Sequence, residues 1–246
     1  FLEQGGTAGY VKLPTGVGKT VLFTELIEAM NLRTLIVVPT RLLFGQTEEK
    51  IEQFAADLEV GKVYAAAKQY GRQVTITTYS SLVSQLENGA LNPADYDSLI
   101  LDEVHLALST KRMDAIKQFE HAIKLGFTAT PEYSERKKVS NLLETKIHSM
   151  TIREAIEDAA LLSSFSAIIA KTTADISNVE LKGEDYDDNQ LEKAVNIQSR
   201  NQAAVDLYKQ MFNGQLAIAY CVGVKHAEKV AELFNRAGVP AAVISG

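Results

Sequence analysis

Tryptophan is absent from this sequence of 246 residues, cysteine occurs once and proline five times. A lone Cys221 excludes an internal disulfide framework, and its place in the apolar stretch 216–222 predicts a buried, inert thiol. No His/Cys spacing suggests zinc. No apolar run approaches the roughly 18 residues that a membrane span needs. Phe1 is not an initiator Met, and no charged region with an apolar stretch follows it. The sequence therefore reads as a piece of a longer soluble protein in a cytoplasmic setting, monomeric and with no membrane partner. A positive coat is also missing: 31 acidic against 25 basic residues give a net charge of −6. This excludes phosphate binding by bulk charge. A local groove of backbone amides with a few Arg or Lys stays open, since net charge describes only the whole surface.

What is present is a regular alternation. A hydrophobic fraction of 46% is ample for a packed core. Short apolar, β-branched runs at 9–13, 34–38, 61–65, 74–77, 98–101, 122–127, 165–170, 216–220 and 241–244 predict strands. Amphipathic patterns predict helices at 21–30, 40–58, 152–163 and 224–236. Apolar strands that do not alternate, each followed by a helix, imply an α/β fold with a parallel sheet covered on both faces. Composition shifts after residue 148. The stretch 175–196, with Gly183, Glu184, Asp185, Asp187 and Asp188, reads as an acidic, solvated connector. A second strand–helix–strand series starts near Leu216 and stops after one repeat. The expected organisation is a complete first domain over 1–148, then a connector and the truncated start of a second α/β domain over 149–246.

The run Leu13-Pro14-Thr15-Gly16-Val17-Gly18-Lys19-Thr20 follows a predicted strand and opens a predicted helix. That is the context of a Walker A phosphate loop. Gly16 and Gly18 let successive backbone N–H groups turn inward onto phosphate oxygens, and the helix adds its positive N-terminal end. Lys19 supplies a mobile charge for the β- and γ-phosphates, and Thr20 a hydroxyl ligand for Mg²⁺. Leu13 stands where the general pattern has its first Gly, which makes this a variant. Pro14, Thr15, Gly16, Val17, Gly18, Lys19 and Thr20 are thus candidates for binding ATP.

A second apolar strand, 98–101, ends in Asp102-Glu103. Ligands of open parallel sheets bind beyond the carboxyl ends of the strands, where both segments lie. Asp102 is the candidate Mg²⁺ ligand with Thr20, and Glu103 the candidate for polarising the attacking water. With Lys19 and His105, these two acids make up the candidate catalytic set.

Asp102-Glu103-Val104-His105 is a DExH box, and with the phosphate loop it makes the sequence resemble superfamily 2 helicases and translocases, including DEAD/DEAH and type III restriction subunit-like members. Val38-Pro39-Thr40-Arg41-Leu42-Leu43 through Gln46 looks like motif Ia, and Thr77-Thr78-Tyr79-Ser80-Ser81-Leu82 like motif Ib. Gly126-Phe127-Thr128-Ala129-Thr130-Pro131 looks like motif III. Ala219-Tyr220-Cys221, then His226-Ala227 and Ala231 to Phe234, is similar to motif IV. The resemblance implies two RecA-like domains with ATP between them. Thr128, Ala129 and Thr130 would couple nucleotide state to domain movement, with His105 sensing the phosphate side. Pro39, Thr40, Arg41, Thr77, Thr78 and Tyr79 would lie on the face that carries a nucleic-acid strand, through contacts that hold phosphates without reading bases; for Tyr79 two readings stay open, a ring stacked on a base and, in preference, a packing residue. DNA is preferred over RNA as the track by analogy with the repair and restriction branch.

The resemblance also places an arginine finger, worth about 10³–10⁵ in rate, in motifs beyond residue 246. The expectation is a chain that binds nucleotide, hydrolyses it poorly and unwinds nothing. Two other readings stay open: another P-loop enzyme such as a kinase or recombinase, and a module that binds nucleotide without turnover.

Overall fold

The computed structural model describes residues 1–132, 137–172, 174–182 and 185–245. Gly183 and Glu184 of the acidic connector lie outside the described residues, as does Gly246. The chain divides into two compact units, Phe1–Phe165 and Ser166–Gly246.

The first unit is built on strands β1 (Ala8–Lys12), β2 (Thr34–Val38), β3 (Val60–Tyr64), β4 (Ala67–Lys68), β5 (Val74–Thr78), β6 (Ser98–Asp102), β7 (Ile123–Thr128) and β8 (Thr145–Ser149). They form one sheet in the order β4-β3-β5-β2-β6-β7-β1-β8, parallel throughout except for the short antiparallel β4. The helices are α1 (Lys19–Met30), α2 (Arg41–Phe54), α3 (Tyr79–Glu87), α4 (Thr110–Lys117) and α5 (Ile152–Glu157).

The sequence dictates this arrangement through its unbroken apolar strands. In β2 all five residues are buried. Leu35 and Val37 enter one core with Leu99, Leu101, Tyr79, Leu82, Ile116 and Phe119, so that α3 and α4 cover that face. Ile36 and Val38 enter the other with Phe23, Ile27, Phe44, Ile51 and Phe127, which brings α1 and α2 onto the opposite face. Successive side chains of a strand point to opposite faces, so a strand buried on both must be apolar at every position. The rings of Phe23 and Phe127 meet at 5.5 Å between centroids, tying α1 to β7.

The first unit extends past the composition change at residue 148. Thr151 and Glu154 form a reciprocal capping box that starts α5. The helix is shorter than the predicted 152–163: Asp158 caps it, Ala160 takes a positive φ, and the N–H groups of Leu161 and Leu162 fold back onto the Ala155 carbonyl.

The second unit contains a two-residue hairpin, β9 (Leu181–Lys182) with β10 (Asp185–Tyr186), and helices α6 (Asp188–Val195), α7 (Gln198–Met211) and α8 (Val224–Arg236). The strands expected at 165–170, 216–220 and 241–244 do not form. A β-strand exists only through its ladder to a neighbour, and among the described residues no neighbour pairs with these segments. Their apolar residues stay open to solvent: Leu216, Ile218, Tyr220 and Ile244 are all exposed. Among the described residues no helix is long and apolar enough to cross a membrane.

Candidate functional site

Strand order places the site. β7 lies between β1 and β6, with Lys12 opposite Thr128 and Asp102 opposite Phe127. The ends of all three strands therefore sit at one level, and three segments distant in sequence leave the sheet side by side. Leu13, where the phosphate loop begins, donates its N–H to the Thr128 carbonyl at 3.0 Å.

The loop is shaped by its glycines. Gly16 has φ 91° and Gly18 φ 87°, both in the left-handed region that a Cβ disfavours. A side chain at Gly16 would come within 3.1 Å of Leu162 Cδ2. Gly18 is the N-cap of α1, and no side chain caps that helix. Its first-turn N–H groups consequently have no intrahelical partner and no side-chain partner, which leaves donors and the positive helix end for an anion. Thr15, Gly16 and Gly18 are exposed, Pro14 is buried, and Val17 and Thr20 are half-buried.

Lys19 opens α1 and is only 8% exposed. Its Nζ lies 3.1 Å from Glu103 Oε1, an ion-pair distance, yet the geometry is not that of a hydrogen bond, and the buried ammonium has no hydrogen-bond partner. A charge removed from water without hydrogen bonds is costly. An incoming phosphate oxygen would satisfy it, so the cradle fits a phosphate group.

The acid pair ends β6. Asp102 is buried, and its carboxyl is pushed up to about 6, chiefly by burial and then by the Glu103 charge, against the opposing pull of Lys19. A cation beside it would relieve both effects, so the Asp102 carboxyl fits a hard divalent ion. Glu103 takes φ 44° and ψ 52°, a left-handed conformation that costs a residue with a Cβ about 1–2 kcal/mol. It turns the chain sharply into a short 3-10 segment, Val104–Ala107, whose apolar side chains Val104 and Ala107 are fully buried. Gly126 makes room for that packing: a Cβ there would lie 2.9 Å from Val104 Cγ1.

His105 Nδ1 lies 3.4 Å from Glu103 Oε2 and 2.8 Å from the Thr128 hydroxyl. Burial lowers its pKa, which the Glu103 charge only partly counters, so the neutral ring is favoured. The same hydroxyl accepts the Thr130 N–H at 3.0 Å. The structure thus brings together Lys19, Glu103, His105 and Thr128 in one chain of contacts, with Asp102 beside it. Ala129 is half-buried and Thr130 exposed just beyond.

The residues assigned to a nucleic-acid face divide. Pro39 is half-buried, and Thr40 and Arg41 are exposed where α2 begins. The Thr40 hydroxyl caps α2 through the Leu43 N–H, and Arg41 sits 5.5 Å from the centre of the Tyr64 ring. Thr77 and Tyr79 require correction. The Thr77 side chain is fully buried, its hydroxyl donating to the Val63 carbonyl at 2.9 Å. Tyr79 is 1% exposed, with its hydroxyl on the Asp102 carbonyl at 2.8 Å, and cannot stack on a base. β5 is an interior strand, flanked by β3 and β2, so the side chains at its end point into the molecule. Thr78 is also buried and caps α3 through the Ser81 N–H. Arg112, which carries no motif, was missed; its guanidinium lies over the Tyr79 ring. Only the pattern of α4 brings it there, and that contact spans a long stretch of sequence. Among the described residues no group of three or more His, Cys, Asp or Glu could hold a metal by itself.

Residues 1–133 match the family described as type III restriction enzyme, res subunit. The DNA 3'-5' translocase XPB2 of Sulfurisphaera tokodaii is 30% identical over 174 residues, which are 71% of this chain and 38% of that protein. The putative ATP-dependent helicase IRC3 of Saccharomyces cerevisiae is 24% identical over 262 residues, 97% of this chain and 37% of that one. The chain therefore spans less than two fifths of the length of these two curated relatives. Among solved structures, a fragment of a putative HsdR subunit of a type I restriction enzyme from Vibrio vulnificus YJ016 superposes with a TM-score of 0.66 at 18% identity, covering 96% of this chain and 42% of that one. The match to the family spans more than half of the chain and includes the phosphate loop and the acid pair, and the chain belongs to the type III restriction enzyme res-subunit family, within the superfamily 2 helicases.

Proposed function

We propose that this chain forms the ATP-binding and hydrolysing core of a motor that moves along nucleic acid, DNA in preference to RNA. The observation that carries the reading is Lys19: a buried ammonium without a hydrogen bond, poised beside Glu103 at the mouth of an uncapped helix. Relatives named as a DNA 3'-5' translocase and as an ATP-dependent helicase support the motor and the choice of DNA.

In this reading the N–H groups of the loop and of the first turn of α1 receive the β- and γ-phosphates. Lys19 exchanges its contact with Glu103 for a phosphate oxygen. Glu103, released from that ion pair, orients a water and takes its proton as the water attacks the γ-phosphorus; the bond from that phosphorus to the β–γ bridging oxygen breaks, and ADP leaves with the electron pair. Thr20 and Asp102 would hold Mg²⁺, which neutralises charge on the phosphates when bound. His105 and Thr128 connect this carboxylate to the end of β7, so a change in the Glu103 environment is felt at Thr130. The exposed residues Thr40 and Arg41 where α2 begins, with half-buried Pro39 before them, are the part of the assigned nucleic-acid face that remains available for phosphate contact.

The test compares the full-length protein with its Lys19→Ala variant, by titration with a fluorescent ATP analogue and by hydrolysis with single-stranded DNA, duplex DNA or RNA present. The variant is expected to lose about tenfold or more in nucleotide affinity, the scale of a lost charge-assisted contact. Equal binding by both proteins would overturn the reading of the loop. Stimulation of hydrolysis by RNA alone would reassign the track.

A further inference from the structure

Glu103 is held in a conformation that a residue with a Cβ keeps only when its surroundings impose it. Two side chains from neighbouring helices bond to the backbone on either side of it. Tyr79, the first residue of α3, donates its hydroxyl to the Asp102 carbonyl at 2.8 Å. That carbonyl belongs to the peptide unit that joins Asp102 to Glu103, so the bond orients the plane from which the left-handed turn departs. Arg112, on α4, donates through Nη1 to the Leu106 carbonyl at 2.6 Å, near the other end of the same turn. The two side chains also brace each other, with the Arg112 guanidinium carbon 5.5 Å from the centre of the Tyr79 ring. Val104 and Ala107 anchor the turn from the core side. The segment that presents Glu103 and His105 is thereby gripped at both ends.

We propose that Tyr79 and Arg112 are positioning residues for Glu103. They hold the backbone of Glu103 so that its carboxylate stays at the phosphate site, in the orientation hydrolysis requires, once Lys19 has released it, and they add nothing to nucleotide affinity. The proposal rests on the hydrolytic reading of the site, but its physical content, a turn clamped at two carbonyls, is separate from that reading. Tyr79→Phe removes one oxygen and keeps the buried ring. Arg112→Lys keeps the charge and loses the planar fork that lets one group both stack and donate. Arg112→Ala loses both.

The experiment measures three quantities in the full-length protein and in each variant of it: affinity for a fluorescent ATP analogue, KM and kcat for nucleic-acid-stimulated hydrolysis, and amide hydrogen exchange across residues 103–106. Tyr79→Phe is expected to bind nucleotide within about twofold of the parent while kcat falls about tenfold or more and KM stays level. Exchange at 103–106 is expected to speed up by about tenfold, with the change confined to that turn. Arg112→Ala should show the same split, and Arg112→Lys a smaller one. Unchanged kcat with unchanged exchange would overturn the clamp. So would an equal loss of affinity and turnover with faster exchange throughout the unit, the mark of a general packing role. A parent without stimulated turnover would sink the hydrolytic reading alone, and exchange at 103–106 would still decide the clamp. Should Tyr79→Phe fail to fold, Arg112→Lys decides by the same readouts.

Discussion

One oxygen at the end of β7 serves two groups. The Thr128 hydroxyl accepts the Thr130 N–H and meets His105 Nδ1, while the residue itself is fully buried. Thr128→Val keeps the shape and removes the oxygen, which strands a backbone donor and an imidazole nitrogen. Leaving a buried polar group unpaired costs more than the bond is worth net. The variant is expected to lose about 1–2 kcal/mol in urea denaturation, and a midpoint equal to the parent's would show that water replaces the hydroxyl. At this scale the sequence was informative wherever chemistry is local. The spacing of Gly16, Gly18, Lys19 and Thr20 is a contiguous pattern, and the Asp102-Glu103 pair ends a visibly apolar strand. The link from His105 to Thr128 joins two segments that only the sheet order makes neighbours, and spacing does not carry it. Thr77 and Tyr79 show the reverse case: a motif resemblance names residues on a face, but the interior position of β5 turns their side chains inward.

Among the elements, helices proved easier to read than strands where the chain lacks partners for a sheet. An amphipathic helix carries its hydrogen bonds within itself, so α8 forms over Val224–Arg236, where its apolar spacing predicts it. The runs at 216–220 and 241–244 have equal strand character but no ladder to join. α7 leaves little trace in the sequence because few of its positions are buried, Asn201 and Val205 among them. These two helices are pinned together by His226, whose Nε2 meets Asn201 Oδ1 at 3.0 Å, while its Nδ1 accepts a long contact of 3.5 Å from the Val222 N–H. Asn201 in turn donates to Asn196 Oδ1 at 2.8 Å. These contacts suit a neutral ring with its proton on Nε2, since a proton on Nδ1 would face an N–H donor. Burial lowers the His226 pKa first, and the charges of Arg200 and Lys229 lower it further against the Glu192 carboxylate, which raises it. The unfolded chain then takes up this proton before the folded one. The α7–α8 contact should be fully stable above the ordinary histidine value of about 6.5 and weaken as pH falls from there through the depressed folded value. An NMR titration checks it: a His226 midpoint at or above the ordinary value, or an Nδ1–H tautomer, would overturn the assignment.

For the whole molecule, the informative quantity is its negative charge. A net charge of −6 means that the average field of the protein repels a polyanion. Binding must then come from a few local contacts, and the correction at Thr77 and Tyr79 reduces their number further. What remains exposed at the start of α2 is one cation, Arg41, beside the Thr40 hydroxyl and the local backbone. Each phosphate neutralised by a cation releases counterions and steepens the salt dependence of affinity by about 0.9 in the logarithmic slope for duplex DNA. A protein that grips its track mainly through neutral hydroxyls and amides should therefore show a shallow slope. Anisotropy titrations of this chain against a short duplex over a range of salt concentrations are expected to give a slope corresponding to about one to three phosphates. Arg41→Ala should lower that slope by about one unit of contact and weaken binding alike on duplexes of different sequence. A slope equivalent to about six or more contacts would mean that a positive surface elsewhere on the chain carries the nucleic acid, and the start of α2 would lose its assignment.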